Sequence, residues 1–115
     1  MPLLKLETTV ALADDKKQAL LASLSKIVAG TIGKPEQYVM VAVSPAAILL
    51  SGKPGPAAFV DIRSIGGLGG SVNQQLAQKV GGLLKESLGV PPDRIYLNFT
   101  DVPAANWGWN GDTFG

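Results

Sequence analysis

The chain has 115 residues, of which 46% are hydrophobic and 17% are charged, and its net charge is +1. This length suits one compact domain, and the scattered Lys and Arg residues give no footprint for nucleic acid. Because Cys and His are both absent, the composition excludes disulfides, cysteine nucleophiles, thiolate metal sites and a histidine-based catalytic triad. An acid–base catalyst near neutral pH must then be a shifted carboxylate, a shifted Lys, a Tyr or the α-amino group.

The N-terminal stretch MPLLKLETTV predicts a strand that starts at Pro2. Proline is tolerated at the first residue of a strand, so Pro2 has a purely structural interpretation. Methionine ahead of a small second residue is usually removed, and Pro2 would then carry a free secondary amine. That second interpretation makes Pro2 a candidate base.

The first half of the chain continues with a helix and a second strand. The helix is predicted from about Asp14 to Ala29, because Leu20, Leu24 and Val28 recur at helical spacing. One of the two adjacent aspartates at its start is expected to cap it. The segment GTIGKPEQ ends this helix, and the valine-rich YVMVAVS predicts a strand.

The second half repeats this order. The segment SPAAILLSGKPGPAA contains an apolar run that suits a short edge strand, and AAFVDIRSI predicts a full strand. A helix follows from about Val72 to Leu88, where Ser71 and Gln74 have the spacing of a capping box. The strand RIYLNFTD comes after the turn GVPPD.

The two halves, at about residues 2–50 and 57–110, therefore form an internal repeat of one structural unit. We predict a single α+β domain over residues 1–115, a two-layer sandwich built from a duplicated β-α-β unit. Both helices would lie on one face of a four-stranded mixed sheet with short edge strands. The sequence lacks a signal-peptide pattern and any apolar run near the ~20 residues that span a membrane, which predicts a cytoplasmic protein without a membrane partner.

The glycine-rich stretch SIGGLGGSVNQ lies where a phosphate-binding loop would lie. Gly67 and Gly69 give G-x-G, but Val72 stands where the third glycine is needed, and no Lys-Ser or Lys-Thr pair follows. A helix N-terminus can still hold an anion. We favour the structural interpretation, a tight strand-to-helix crossover in which only glycine fits.

Polar residues stand out at two other places. On the strand RIYLNFTD, one face carries Tyr96, Asn98 and Thr100, which suits a half-solvated sheet or the polar wall of a site between subunits. In GKPEQ, Lys34 follows a helix end, where a cation either offsets the helix dipole or binds a substrate carboxylate. The tail WGWNGDTFG is too short to bury its two tryptophans alone, so we expect them to line a pocket or meet a neighbouring subunit.

The segments MPLL, GKPEQYV, SIGGLGG, PPDRIYLNF and AANWGWNGDTF, in this order, resemble the macrophage migration inhibitory factor family of the tautomerase superfamily, over essentially the whole chain. The resemblance implies a homotrimer with sheets lining a central channel and an active pocket at each subunit interface. It implies a keto–enol tautomerase for phenylpyruvate-like aromatic α-keto acids, extending to dopachrome-type substrates, that needs no metal or organic cofactor. The catalytic base would be Pro2.

The resemblance also implies roles for seven further residues. Lys34 would bind the substrate carboxylate, and Ile65 would border the pocket. Tyr96 and Asn98 would reach in from the adjacent subunit. The aromatic residues of the C-terminal tail would form the pocket wall. At one tail position tryptophan stands where the family usually has a smaller aliphatic residue, so the pocket mouth would be narrower or more aromatic here. These residues are Lys34, Ile65, Tyr96, Asn98, Trp107 (the bulkier position), Trp109 and Phe114.

Two departures from the family limit what carries over. Some animal members have C-x-x-C where this chain has Ala57 to Val60, so thiol–disulfide activity is excluded, and Gly67 stands where those members often have lysine. Receptor contacts therefore do not transfer. The alternatives are a cytokine-like or other protein-binding module with a vestigial pocket, and a purely structural oligomer. The resemblance also allows secretion without a leader sequence.

Overall fold

The computed structural model describes residues 1–115 and contains two helices and four main strands. The strands of the main sheet are β1 (Pro2–Thr8), β2 (Met40–Pro45), β3 (Ala58–Ser64) and β4 (Ile95–Asp101). The helices are α1 (Asp14–Ile32) and α2 (Gly70–Leu88), and a small hairpin near the C-terminus consists of β5 (Gly108–Trp109) and β6 (Asp112–Thr113).

The four strands form one mixed sheet in the order β2-β1-β3-β4. Strands β1 and β2 are parallel, β3 and β4 are parallel, and β1 and β3 are antiparallel at the centre. Each parallel pair is joined through a helix. The structure confirms the predicted α+β class and the duplicated β-α-β unit.

One face of the sheet packs under both helices and forms the core. Along β1, alternate residues from Pro2 to Thr8 are buried, and β3 alternates in the same way from Ala58 to Ser64. This alternation places every second side chain under the helices. The helices contribute their own apolar stripes, and the fully buried core includes Leu4, Leu6, Leu24, Val28, Val60, Ile62, Leu76, Val80, Leu84 and Val90.

The other face of the sheet, which we call the open face, is covered by neither helix. Its side chains are mostly polar or charged, and several are half-buried or exposed. On β4 the predicted alternation is confirmed, because Ile95 is buried whereas Tyr96 is 65% exposed. The open face carries Leu3, Lys5, Glu7, Met40, Ala42, Ser44, Phe59, Asp61, Arg63, Tyr96, Asn98 and Thr100.

Helix α1 begins at Asp14 as predicted, but its cap differs from the prediction. Its N-cap residue is Ala13, and no side chain caps the helix, so neither aspartate does. Asp14 and Asp15 lie in the first turn, where their charges still favour the helix dipole. The helix continues past Ala29 to Ile32 because Ile32 packs into the core, and it ends where Gly33 adopts φ 80°.

The predicted capping box of α2 is wrong. The helix begins at Gly70, so Ser71 lies inside the first turn, and its hydroxyl accepts a hydrogen bond from Gln75 at 3.3 Å. The N–H of Gly69 is bonded instead by Oδ1 of Asn73 at 3.2 Å. No helix of the chain has both the length and the apolar character that crossing a membrane requires.

The segment between β2 and β3 forms a loop with one β-bridge rather than a full edge strand. The bridge joins Leu50 to Lys53. Arg94 fixes the loop from the far half of the chain, because its Nε donates to the carbonyl of Pro56 at 2.7 Å and its Nη2 to that of Lys53 at 3.0 Å. The apolar run finds no strand neighbour within the chain, and Leu49 stays 66% exposed.

Candidate active site

The start of β1 lies at the end of the sheet where chain segments from both halves meet. Pro2 pairs with Ser64 of β3, and Leu3 pairs with Met40 of β2. The ring of Pro2 is fully buried on the helix side, and Leu3 points to the open face. Proline fits this position because the first residue of a strand needs no ladder N–H.

Beside Pro2 lies a cleft of about 440 Å³. Three segments form it: the start of β1, the turn that leads into β2, and the C-terminal tail. Most of its lining is apolar or aromatic. The lining residues are Met1, Pro2, Leu3, Gln37, Tyr38, Val39, Met40, Trp107, Gly108 and Trp109. A smaller recess of about 270 Å³ lies between the helices and includes Lys16. The cleft at Pro2 is the stronger candidate because it contains the terminal amine, whose pKa is lowered.

The electrostatics at this end of β1 favour a neutral amine. Partial burial of the Met1 amine lowers its pKa below the ordinary value of about 8, and the nearby positive charge of Lys34 lowers this pKa further. Both effects disfavour the protonated amine. A terminal amine in this cleft is therefore better suited to accept a proton near neutral pH than one in water.

Lys34 does not line the cleft itself, although its charge acts on the amine at the head of β1. The N–H groups of Gly33 and Lys34 both bond to the carbonyl of Ala29, which closes the end of α1. A Cβ atom on Gly67 would lie 2.6 Å from Cγ2 of Ile32 and 3.6 Å from Cε of Lys34. A side chain at Gly67 would therefore clash with Ile32, whereas its contact with Lys34 would be an ordinary van der Waals contact.

The SIGGLGG stretch has a structural role in this fold. Gly66 and Gly67 adopt φ of 72° and 80°, which favours glycine at both positions. The carboxylate of Asp101 accepts a hydrogen bond from the N–H of Gly66 at 2.9 Å, and the hydroxyl of Ser64 donates to its carbonyl at 2.7 Å. Ile65 lies in this crossover, directly after the residue that pairs with Pro2.

The aromatic tail is folded against the same end of the sheet. Trp107 and Trp109 line the cleft, and Trp109 is stacked on Phe114 with ring centroids 6.2 Å apart. The N–H of Phe114 donates to the carbonyl of Trp107 at 3.1 Å, which holds the tail closed on itself. Phe114 supports a wall residue without lining the cleft.

Tyr96 and Asn98 are not brought to this cleft within one chain. Pro2 pairs with Ser64, and Ser64 pairs with Asp101, whereas Tyr96 lies five residues before Asp101 at the other end of β4. That offset is roughly 17 Å along the strand, and β4 is two strands away from β1. Both side chains are exposed on the open face.

Several residues of the cleft were missed by reasoning from sequence. Gln37, Tyr38 and Met40 line it although they were predicted only as turn or strand. The signal that could have found them is the parallel pairing of β1 with β2. In such a pair Leu3 and Met40 must lie side by side, which brings the preceding turn next to Pro2.

The chain matches known proteins over its full length. The family model described as macrophage migration inhibitory factor (MIF) matches residues 1–115. A macrophage migration inhibitory factor from Meriones unguiculatus is 40% identical over 115 residues, which cover 99% of each chain, and the one from Rattus norvegicus is 39% identical with the same coverage.

Solved structures give the same result for the fold. The crystal structure of a macrophage migration inhibitory factor homologue from Prochlorococcus marinus superposes with a TM-score of 0.93 at 42% identity, covering 98% of this chain and 99% of the other. The macrophage migration inhibitory factor-like protein from Entamoeba histolytica gives 0.94 at 32% identity, covering 98% of each.

Proposed function

The chain belongs to the macrophage migration inhibitory factor family, within the tautomerase superfamily, and on that premise we propose that it is a keto–enol tautomerase. Its substrates would be phenylpyruvate-like aromatic α-keto acids, with dopachrome-type compounds as a related class. The observation that carries this proposal is a buried proline at the head of an aromatic cleft, where burial and a neighbouring lysine lower the pKa of a terminal amine.

The active form would be the chain without Met1. Removal of Met1 turns the amide nitrogen of Pro2 into a secondary amine, and this amine is the proposed general base. Pro2 is more deeply buried than Met1. The amine of Pro2 would therefore lose more solvation than that of Met1, and its pKa would be lowered for the same two reasons, burial first and Lys34 second.

The proposed reaction is a proton transfer with no net change in composition. The nitrogen of Pro2 takes a proton from the carbon next to the keto group, and the electron pair of that C–H bond forms the new C=C bond. The carbonyl oxygen becomes an enolate oxygen and then takes the proton, which gives the enol. The reverse path converts the enol into the ketone, and neither direction needs a redox partner or a metal.

Substrate binding would use the groups around the cleft. The ammonium of Lys34 would hold the carboxylate, and the backbone at Ile65 would position a substrate oxygen. The indoles of Trp107 and Trp109 offer apolar surface to an aromatic ring, and Phe114 would keep Trp109 in place. The bulk of Trp107 supports a preference for flat, narrow substrates.

We propose that the site is completed by a second subunit of a homotrimer. Tyr96 and Asn98 are too far from Pro2 of their own chain to meet its substrate, yet both are exposed on the open face. A neighbouring copy that covers this face would bring them to the cleft, where Asn98 would bond a substrate oxygen and Tyr96 would shape the ring pocket. Residues 1–115 would act as one domain in this assembly, in the cytoplasm or after leaderless secretion.

The test is turnover of phenylpyruvate by protein whose mass confirms the loss of Met1. Pro2→Gly is expected to lower kcat/KM by about 10²–10⁴-fold, the usual contribution of a general base. Pro54→Gly, in the exposed loop before β3, is the matched control for the substitution itself. Full turnover in Pro2→Gly would rule out Pro2 as the general base.

A second candidate function is a protein-binding module with a vestigial pocket. It is supported by the relatives, whose name describes an effect on macrophage migration. Absence of turnover in a correctly trimmed and assembled sample would favour this candidate over the enzyme.

A further inference from the structure

A second recess of about 250 Å³ lies next to the cleft at Pro2. Leu3, Trp107 and Gly108 line both spaces, so the two are neighbours separated by the indole of Trp107 and the side chain of Leu3. A molecule seated beside Pro2 could therefore extend past Trp107. The recess is lined by Leu3, Arg63, Val102, Asn106, Trp107 and Gly108.

Arg63 is the charged residue of this recess. It lies directly opposite Leu3 across the β1–β3 pair, at the Pro2 end of the open face. Its side chain is 53% exposed. The other lining groups are apolar, except for the amide of Asn106, so the recess presents a cation and a hydrogen-bonding amide within an apolar wall.

The guanidinium of Arg63 is held in place by Asp61, but not all of its N–H donors are hydrogen-bonded. Its Nε and Nη2 donate to Oδ2 of Asp61 at 3.2 and 3.0 Å, whereas Nη1 has no hydrogen-bond partner within the chain. The Asp61 carboxylate is mostly buried, and its Oδ1 has no partner at all. Asp61 therefore anchors one edge of the guanidinium and leaves the other edge free for an oxygen acceptor.

Arg63 is the only charged residue that lines the recess. The two carboxylates nearby are occupied elsewhere, because Asp61 pairs with the guanidinium and Asp101 accepts the N–H of Gly66. Neither carboxylate lines the recess, so an anion there would meet the guanidinium directly.

We propose that Arg63 forms a second anion-binding subsite, so that the enzyme selects α-keto acids carrying a second carboxylate at the end remote from the keto acid. This inference rests on the proposed function, because it presumes that the first carboxylate binds at Lys34. Trp107 would set the required length, since the substrate passes its indole to reach the guanidinium. Arg63 acts here as a specificity-determining residue.

The test compares phenylpyruvate with its para-carboxy derivative on the trimmed protein. We expect the wild-type protein to favour the carboxylated substrate, and Arg63→Gln to lower the ratio of the two kcat/KM values by about tenfold, mainly through KM. Arg63→Lys keeps the charge and should retain part of the preference. A ratio that is the same in wild type and Arg63→Gln would overturn the proposal.

A second variant guards against a folding defect in Arg63→Gln, which leaves Asp61 without its partner. The double variant Arg63→Gln/Asp61→Asn removes the whole ion pair and leaves no unpaired carboxylate, and it should lose the preference for the carboxylated substrate as Arg63→Gln does. A double variant that keeps the wild-type preference contradicts the subsite.

Binding without turnover separates this inference from the proposed function. Terephthalate and benzoate differ by one carboxylate, and their affinities can be measured by titration calorimetry on the same proteins. Tighter binding of terephthalate that is lost in Arg63→Gln supports the subsite even if no substrate is turned over. Equal affinities in wild type contradict the subsite, whether or not phenylpyruvate is a substrate.

Discussion

The two faces of the main sheet are covered in different ways. The helix side is closed within the chain, and residues such as Leu4, Val60 and Ile62 have no exposed surface. The open face has no such cover, and Met40 and Tyr96 are each 65% exposed on it. One chain thus completes the packing of one face and leaves large apolar and aromatic groups of the other in contact with solvent.

This difference explains where the candidate site lies. Along β1, Pro2 lies on the closed face, which the helices cover, and Leu3 lies on the open face. The first two residues of the strand therefore connect the buried core to the uncovered side of the sheet. The closed face fixes the proposed base. The open face carries the residues of the two proposals: Arg63 beside Leu3 for the second anion subsite, and Tyr96 and Asn98 for the site of a neighbouring copy.

The largest expected effect comes from splitting the site between subunits. Pro2→Gly and Asn98→Ala homotrimers are each expected to lose most of their turnover. If they are unfolded together and refolded at equal amounts, three quarters of the trimers are mixed, and each mixed ring has one intact interface of three. Turnover should then recover to about a quarter of the wild-type rate.

Two outcomes would contradict a site that is shared between subunits. If mixing restores nothing, although mass spectrometry of the intact assembly finds mixed trimers, then Pro2 and Asn98 do not meet across an interface. If Asn98→Ala alone is fully active, the open face of β4 plays no part in turnover. Refolded wild-type protein sets the scale for both.

A stability experiment tests the closed face against the open one. Ile62→Ala removes a fully buried side chain from the core and should lower the free energy of unfolding by about 2–5 kcal/mol. Thr100→Ala, on the exposed side of β4, should change it by about 0.5 kcal/mol or less. Urea unfolding at one fixed protein concentration measures both, because assembly makes stability depend on concentration.

The crossover glycines offer a smaller and sharper contrast. Gly66→Ala and Gly67→Ala both place a side chain at positive φ, which costs about 1–2 kcal/mol. Only Gly67→Ala also brings a Cβ to 2.6 Å from Ile32, whereas nothing lies within 4 Å at Gly66. We expect Gly67→Ala to be less stable than Gly66→Ala by about 1–3 kcal/mol in thermal or urea unfolding. Equal losses would mean that Ile32 moves aside freely.

The sequence predicted the closed face well because its signals are local. The alternation along β4 and the helical spacing of Leu20, Leu24 and Val28 each depend on near neighbours in the chain. The helix starts were predicted to within two residues, but the caps of both helices were predicted wrongly. At α2 the predicted capping box at Ser71 does not form. The side chain of Asn73 instead accepts a hydrogen bond from the N–H of Gly69.

The candidate site was predictable only in part, because it depends on strand register. Pro2, Lys34 and the two tryptophans stood out by residue type, and the structure brings Pro2 and the tryptophans into one cleft, with Lys34 acting on the terminal amine. Tyr38 and Met40 did not stand out, and neither did Arg63 opposite Leu3, because these neighbours follow from how β1 pairs on both sides.

The smallest expected effect concerns the charge that links α1 to the head of β1. Lys34 is the second cause of the lowered pKa at the terminal amine, after burial. A base acts in its neutral form, so kcat/KM for phenylpyruvate should rise with pH through the pKa of the Pro2 amine and then level off. Lys34→Gln removes the positive charge, stabilises the protonated amine and moves this rise to higher pH, by less than about one unit for a partly solvated pair.

Lys34→Arg keeps the charge and should leave the midpoint near that of the wild type, although substrate binding changes in both variants. The pH profile of kcat/KM separates the two effects, because weaker carboxylate binding lowers the plateau whereas the lost charge shifts the midpoint. A lower plateau with an unmoved midpoint would assign Lys34 to the substrate alone and leave burial on the closed face as the sole cause of the lowered pKa.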